Sequence, residues 1–286
     1  MNKNNISLIN KELKNNTKMV AMIAPSFAAE FDYPNIIYQL KEFGFSKVVE
    51  LTFGAKMINR EYHKILESNK ESKKLIISSV CPGIVEIIKA KYPNFKKNII
   101  PVDSPMIATA KICKKTFPKY KTVFISPCNF KKIEADKSEY VDFVIDYEQL
   151  RNIIYKNKIK NITKNKIIKL DKFYNDYTKI YPISGGLSKT AHLRGAINKN
   201  EVKIIDGISD VKKFLNNPKK EIRFLDITFC KGGCIGGPHL SKSITLNERK
   251  KRMIKYANLA KKEDIPNQDL GIIKKAQGIN FTDTKI

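Results

Sequence analysis

Three apolar runs in this chain end directly in a cysteine: LIISSVCPG at 75–83, TVFISPCN at 122–129 and FLDITFCKGGCIGGP at 224–238. Short runs rich in Ile, Val and Phe and bounded by Pro and Gly read as buried strands. In α/β folds, binding and catalytic groups collect at the carboxyl ends of strands, where loops converge on a rigid sheet. Four of the five cysteines, Cys81, Cys128, Cys230 and Cys234, stand at such ends. Cysteine placement is therefore the main question this sequence poses.

The rest of the sequence agrees with that architecture, since apolar runs alternate with amphipathic stretches. Strands are expected at Met19–Ala24, Lys47–Leu51, Leu75–Ser79, Thr122–Ile125, Phe143–Asp146, Val202–Ile205 and Arg223–Thr228. Helices are expected at Pro34–Phe43, Lys56–Ser68, Ile84–Lys91, Pro105–Phe117, Tyr147–Tyr155, Val211–Leu215 and Leu246–Lys262. The predicted fold is α/β, with two lobes of mixed or parallel sheet flanked by helices. Residues 18–155 and 181–262 form the lobes, the Lys- and Asn-rich stretch 156–180 connects them, and 1–17 and 263–286 are extensions.

Local chemistry around the cysteines suggests ligation. Pro82-Gly83 follows Cys81 and Pro127 precedes Cys128, which restricts the backbone at both. Lys231, Gly232 and Gly233 lie between the last pair, and glycine lets a backbone wrap a bulky inorganic group with its N–H groups turned inward. Four thiolates suit a 4Fe-4S cubane. They also suit zinc, although structural zinc sites use close Cys pairs on both sides and only one close pair is present. Unrelated buried or redox thiols are the third reading. Cys113, in PMIATAKICKKTF, shares a helical face with Met106, Ala110 and Phe117 and is expected to pack in the core.

The formal net charge of +26 raises nucleic-acid binding. The lysines, however, are spread along the chain, and the densest run, at 156–173, lacks interleaved aromatics and reads as a solvated segment. A positive surface better fits the docking of an acidic redox partner. No run reaches the roughly 18 apolar residues of a membrane helix, and the amino terminus lacks the apolar core of a signal peptide, so a cytoplasmic protein with reduced thiols is expected.

The three cysteine loops resemble those of the iron-only (di-iron) hydrogenase catalytic domain, whose signatures run approximately TSCCPGW, MPCxxKxxE and CxGGCxxGG. This chain has SSVCPGI at 78–84, SPCNFKKIE at 126–134 and CKGGCIGG at 230–237, in the same order. Supporting matches are APS at 24–26, GFSKVVELTFGA at 44–55, SP at 104–105 and SGGLSKTAHLR at 184–194. The resemblance implies that Cys81, Cys128, Cys230 and Cys234 hold a 4Fe-4S cluster at the interface of the lobes. It also implies that Cys234 bridges to a di-iron unit carrying CO, CN and a dithiolate. Lys131 would donate to a cyanide, Ala24, Pro25 and Ser26 would line the same pocket, and Gly232 and Gly233 would wrap the cluster.

The departures bear on activity. The family's proton-relay cysteine is Val80 here, and a valine carries no proton. The first relay glutamate falls at Glu61 and the second at Lys64, while Ile84, Met106 and Ser126 replace a Trp, a Gln and a Met of the pattern. Only about 17 residues precede the first expected strand, so no ferredoxin-like domain is expected there and electrons would come from a ferredoxin or a ferredoxin-domain subunit. The resemblance thus points to the divergent, sensory branch: a hydrogenase-like iron–sulfur protein of anaerobic metabolism with low-turnover hydrogen and proton redox chemistry. The alternative is a non-catalytic 4Fe-4S protein in electron transfer or iron–sulfur assembly.

Overall fold

A computed structural model describes residues 5–72, 74–162, 168–171, 177–260 and 274–282. Seven strands form two parallel sheets. The first, in the order β2-β1-β4-β5, joins β1 (Met19–Ile23), β2 (Lys47–Glu50), β4 (Lys121–Ser126) and β5 (Phe143–Asp146). The second, in the order β3-β7-β6, joins β3 (Ile76–Ile77), β6 (Val202–Asp206) and β7 (Phe224–Thr228). The helices are α1 (Asn5–Lys14), α2 (Asn35–Phe43), α3 (Thr52–Ser68), α4 (Pro82–Lys91), α5 (Pro105–Thr116), α6 (Phe130–Asp136), α7 (Tyr147–Lys156), α8 (Gly186–Thr190), α9 (Ile208–Asn216) and α10 (Leu246–Ala260). Among the described residues no helix is long and apolar enough to cross a membrane.

Strand β1 is buried at all five positions, as expected where helices cover both faces of a parallel sheet. Its residues alternate between two cores. Met19, Ala21 and Ile23 face Ile9, Ile36, Ile37, Leu40 and Leu150 of α1, α2 and α7. Val20 and Met22 face Met57, Ile58 and Tyr62 of α3 and Met106, Ala110 and Cys113 of α5. Cys113 is thus buried in this core, as its helical spacing predicted. The second sheet has its own apolar layer, Ile77, Leu225 and Ile227 against α4 and α9. Phe224 of β7 joins the α3 core instead, its ring 6.0 Å from that of Tyr62, so α3 locks the two sheets together.

Three sequence boundaries change. The sheets do not divide at 156–180, because β3 lies in the first half of the chain yet pairs with β7, with Ile76 opposite Phe224 and Ile77 opposite Leu225. Periodicity identifies strands but not their partners. The terminal stretches are not mere extensions: α1 buries Ile9 and donates from Asn5 Nδ2 to Val144 O, and Ala276 and Phe281 are buried, with Thr282 bridged to Val102. The connecting stretch, whose residues 163–167 and 172–176 lie outside the described ones, is not simply solvated. Asp171 accepts from Val48 N and pairs with Lys41 and Lys47, covering the edge strand β2. Lys179, beyond it, is buried in an ion pair with Glu50 at 2.9 Å and also donates to Tyr256 OH.

Candidate metal centre

A strand precedes each of the three cysteine-bearing loops: β3, β4 and β7. Cys81 follows β3 and caps the amino end of α4, with Pro82 as the first helical residue. Cys128 lies between β4 and α6, Cys230 just beyond β7, and Cys234 opens a short 3-10 turn at Cys234–Gly236. These loops belong to different sheets and meet through small and aromatic residues. Phe229 N donates to Cys81 Sγ at 3.4 Å. The rings of Phe130 and Phe229 stand 4.8 Å apart, and a Cβ on Gly83 would come 2.7 Å from Phe130, so only glycine lets the Cys81 loop close on the other two. His239 N donates to Pro127 O at 3.4 Å, tying the end of the glycine loop to the Cys128 turn.

Electrostatics place the four sulfurs in one field. Burial, and then the neighbouring Cys81 thiolate, push Cys128 up to about 11. Burial followed by Cys128 and Cys81 push Cys230 up to about 12. Cys234 is raised by burial and then by Cys81, Cys128 and Cys230, while Lys131 opposes the shift. Cys81 is raised by burial, against hydrogen bonds from Phe229 and Ile84 and the charge of Lys131. Cys234 nonetheless presents part of its surface to solvent. Four thiols that resist ionising together fit a cationic cluster that takes all four as thiolates.

Spacing separates a cluster from a single ion. Tetrahedral zinc with Zn–S of about 2.3 Å requires sulfurs roughly 3.8 Å apart. Among the described residues the one group of three His, Cys, Asp or Glu side chains whose ligand atoms lie within 4.8 Å of each other is Asp146, Glu148 and His239, with no cysteine in it. Asp146 is already engaged there, through Gln149 N at 2.8 Å and Lys132 Nζ at 2.6 Å. Among the described residues no three cysteine sulfurs meet that criterion, so they do not form the close tetrahedron of a mononuclear site.

The other residues expected at the site divide into two groups. Lys131 is close enough to lower the thiols of Cys81, Cys128 and Cys234, and its Nζ is held by Glu134 at 2.6 Å. Ala24, Pro25 and Ser26 form a turn at the end of β1 that packs on the Cys234 turn, and Ser26 Oγ is 2.7 Å from Tyr147 OH, which also donates to Ala24 O at 3.3 Å. Gly232 and Gly233 hold φ of +82° and +81°. A Cβ on Gly233 would come 2.6 Å from Pro182 O, because an antiparallel bridge joins Ile183 to Gly233.

Glu61 is not brought to the cysteines. Its carboxylate pairs with Lys64 on the outer side of α3. The next residue, Tyr62, is the one that reaches the Cys81 loop, its hydroxyl taking the Ser79 N–H at 2.7 Å and lying 2.9 Å from Ser79 Oγ. Val80 packs with the apolar core that contains Met106, so the wall at the missing thiol is apolar. Tyr62, Tyr147, Tyr181 and Asp226 around this site escaped sequence reasoning. Asp226 alone left a signal, as a carboxylate inside the apolar run FLDIT; it is 2% exposed, and burial raises its pKa against two hydrogen bonds from Ser188.

Two parallel sheets whose strands β3, β4 and β7 lead into cysteine-bearing loops define a hydrogenase-like α/β protein. The chain belongs to the family described as iron only hydrogenase large subunit, C-terminal domain, whose model matches residues 17–238. Iron hydrogenase 1 of Clostridium pasteurianum is 25% identical over 258 residues, covering 71% of this chain and 45% of that protein, so the chain spans less than half of that relative's length. A probable cytosolic Fe-S cluster assembly factor, oxy-4 of Caenorhabditis elegans, is 22% identical over 92% of this chain and 67% of its own length. A solved FeFe-hydrogenase, from work on oxygen damage to the 2Fe subcluster of its H cluster, superposes with a TM-score of 0.71 at 18% identity, over 94% of this chain and 93% of that one. The fold is therefore that of the hydrogenase domain, and the family supports an iron–sulfur cofactor in general.

Proposed function

We propose that Cys81, Cys128, Cys230 and Cys234 hold a 4Fe-4S cluster and that Cys234 also bridges to a di-iron unit, giving a hydrogenase-like protein of low turnover in a sensory or accessory redox role. The observation that supports this reading is that cysteines following strands of both sheets share one neighbourhood, with Phe229 N donating to Cys81 Sγ at 3.4 Å and Cys234 within the charge field of Cys81, Cys128 and Cys230. When bound, the cluster supplies one-electron transfer and the di-iron unit supplies the interconversion of protons and hydrogen.

The chain's own residues orient and insulate. Lys131 brings a positive charge to the side shared by Cys81, Cys128 and Cys234, and it suits an anionic ligand there. Gly232 and Gly233 turn the backbone round the sulfurs of Cys230 and Cys234. Val80 and Met106 leave the proton-delivery position apolar, which supports slow chemistry. A ferredoxin or ferredoxin-domain subunit would deliver electrons in the cytoplasm, and the net charge of +26 suits an acidic partner.

A second reading, a 4Fe-4S protein without the di-iron unit in electron transfer or iron–sulfur assembly, is favoured by the same apolar wall together with the likeness to the assembly factor over 92% of this chain. Anaerobic reconstitution tests both. About four irons per chain are expected, lost on replacing any of the four cysteines by Ala and kept in Cys113→Ala. Infrared CO and CN stretches after maturation decide for the di-iron unit, and their absence with a full cubane decides for the second reading. Full iron retention in Cys81→Ala and Cys128→Ala refutes the site.

A further inference from the structure

One buried hydroxyl close to the Cys230–Cys234 loop has no hydrogen-bond partner among the described residues. Tyr181 OH is shielded from solvent and forms no hydrogen bond. Its backbone is fixed by Tyr181 N to Thr178 O and Ile183 N to Ile180 O, both at 3.0 Å. Two residues further on, the isolated bridge from Ile183 to Gly233 and the bond from Ser184 N to Gly232 O seat this turn on the glycine loop between Cys230 and Cys234. Cys234 is among the groups whose charge Tyr181 feels, with Tyr62 and Asp226. Tyr62 OH is committed to Ser79, and Asp226 Oδ2 to Ser188. A phenol left without an acceptor loses its hydration with nothing in return, so an orphan at this place points to an acceptor that arrives with the bound group.

We infer that Tyr181 donates a hydrogen bond to sulfur on the Cys234 side of the bound cluster, either the Cys234 thiolate or an adjacent sulfide. This inference rests on the four-cysteine reading above. The role is one of tuning: hydrogen bonds to cluster sulfurs stabilise the reduced, more negative state and raise the reduction potential. Asp226 and Tyr62 contribute by holding the ring's surroundings closed and by offering the hydroxyl no competing acceptor.

The test is a redox titration of the anaerobically reconstituted protein, followed by electron paramagnetic resonance. Tyr181→Phe keeps the ring and should move the potential to more negative values at unchanged iron content. A fluorotyrosine at position 181, a stronger donor, should move it in the opposite direction, which a purely structural role would not do. Tyr155→Phe, at an exposed ring, should leave the potential where it is. Identical potentials for wild type, Tyr181→Phe and the fluorotyrosine protein, all carrying full iron, overturn the inference and leave the site reading intact. Should Tyr181→Phe not fold, the fluorotyrosine arm alone decides. A wild-type chain that takes up no cubane refutes the site reading, and this inference with it.

Discussion

Replacing Gly233 by alanine separates the cost of backbone conformation from the cost of losing the turn segment that abuts the cysteine loop. Gly233 sits at φ +81° and ψ −151°, a region that is essentially glycine-only and costs an L-residue about 1–3 kcal/mol. The new methyl would also lie 2.6 Å from Pro182 O, 2.9 Å from Ser184 N and 3.1 Å from Ile183 C, all of them backbone atoms that no rotamer change can move. The bridge from Ile183 to Gly233 must therefore open, adding about 0.5–1.5 kcal/mol for each hydrogen bond lost.

Two controls bracket the result. Gly195, at φ +90°, has nothing within 4 Å of a built Cβ, so Gly195→Ala carries only a backbone cost, about 1–2 kcal/mol. Gly232→Ala meets the Leu246 side chain at 2.6 Å, which can rotate away, and should fall between the other two. Urea unfolding of the apo proteins gives the ordering Gly195, Gly232, Gly233 in increasing loss, and iron content after reconstitution should drop for Gly233→Ala alone of the first and last. Equal losses for Gly195→Ala and Gly233→Ala, with equal iron, would refute the claim that the segment 181–184 shapes the site.

Three further outcomes follow from the same contacts. Val80→Cys restores a thiol at the proton-delivery position, and in matured protein it should raise hydrogen evolution from an artificial reductant, by no more than the roughly 10²–10⁴-fold that general acid assistance supplies; fast wild-type turnover unchanged by the substitution shows another proton path. Lys179→Met leaves the Glu50 carboxylate buried without its cation and should cost about 3–5 kcal/mol in urea unfolding, much of it recovered in the double variant with Glu50→Gln; a loss below 1 kcal/mol, on the order of an exposed pair, refutes the burial. Although burial opposes it, hydrogen bonds from Lys114 and Thr122 hold the Asp142 carboxyl below its ordinary value. Its contribution is present above the unfolded carboxylate pKa of about 3.9 and is lost as pH falls through the folded value, so Asp142→Asn should flatten that part of the acid unfolding curve.

Much of this protein is legible in one dimension. The strand ends at Cys81, Cys128 and Cys230, the glycine turn at Gly232 and Gly233, the core position of Cys113 and the strands among the described residues all follow from apolar runs, turn residues and helical spacing, which are local properties of the chain. The motif context of the cysteines carried the family as well. Helix α6 and the start of α3 at Thr52 were missed, because Asn129 and Leu51 precede them without a side-chain cap to mark the boundary.

What tertiary structure alone decided is which distant groups meet. Periodicity cannot say that Ile76 pairs with Phe224, so the lobe boundary at 156–180 failed. Motif alignment put a glutamate, Glu61, at the relay, whereas the helical phase of α3 turns that carboxylate to Lys64 and turns Tyr62 inward to Ser79. The unpartnered hydroxyl of Tyr181 and the ion pair of Glu50 with Lys179 were equally beyond reach. A local pattern encodes which face of an element is apolar, but the partner of a buried polar group is set by long-range packing, and its cost or gain exists only once water has been excluded from around it.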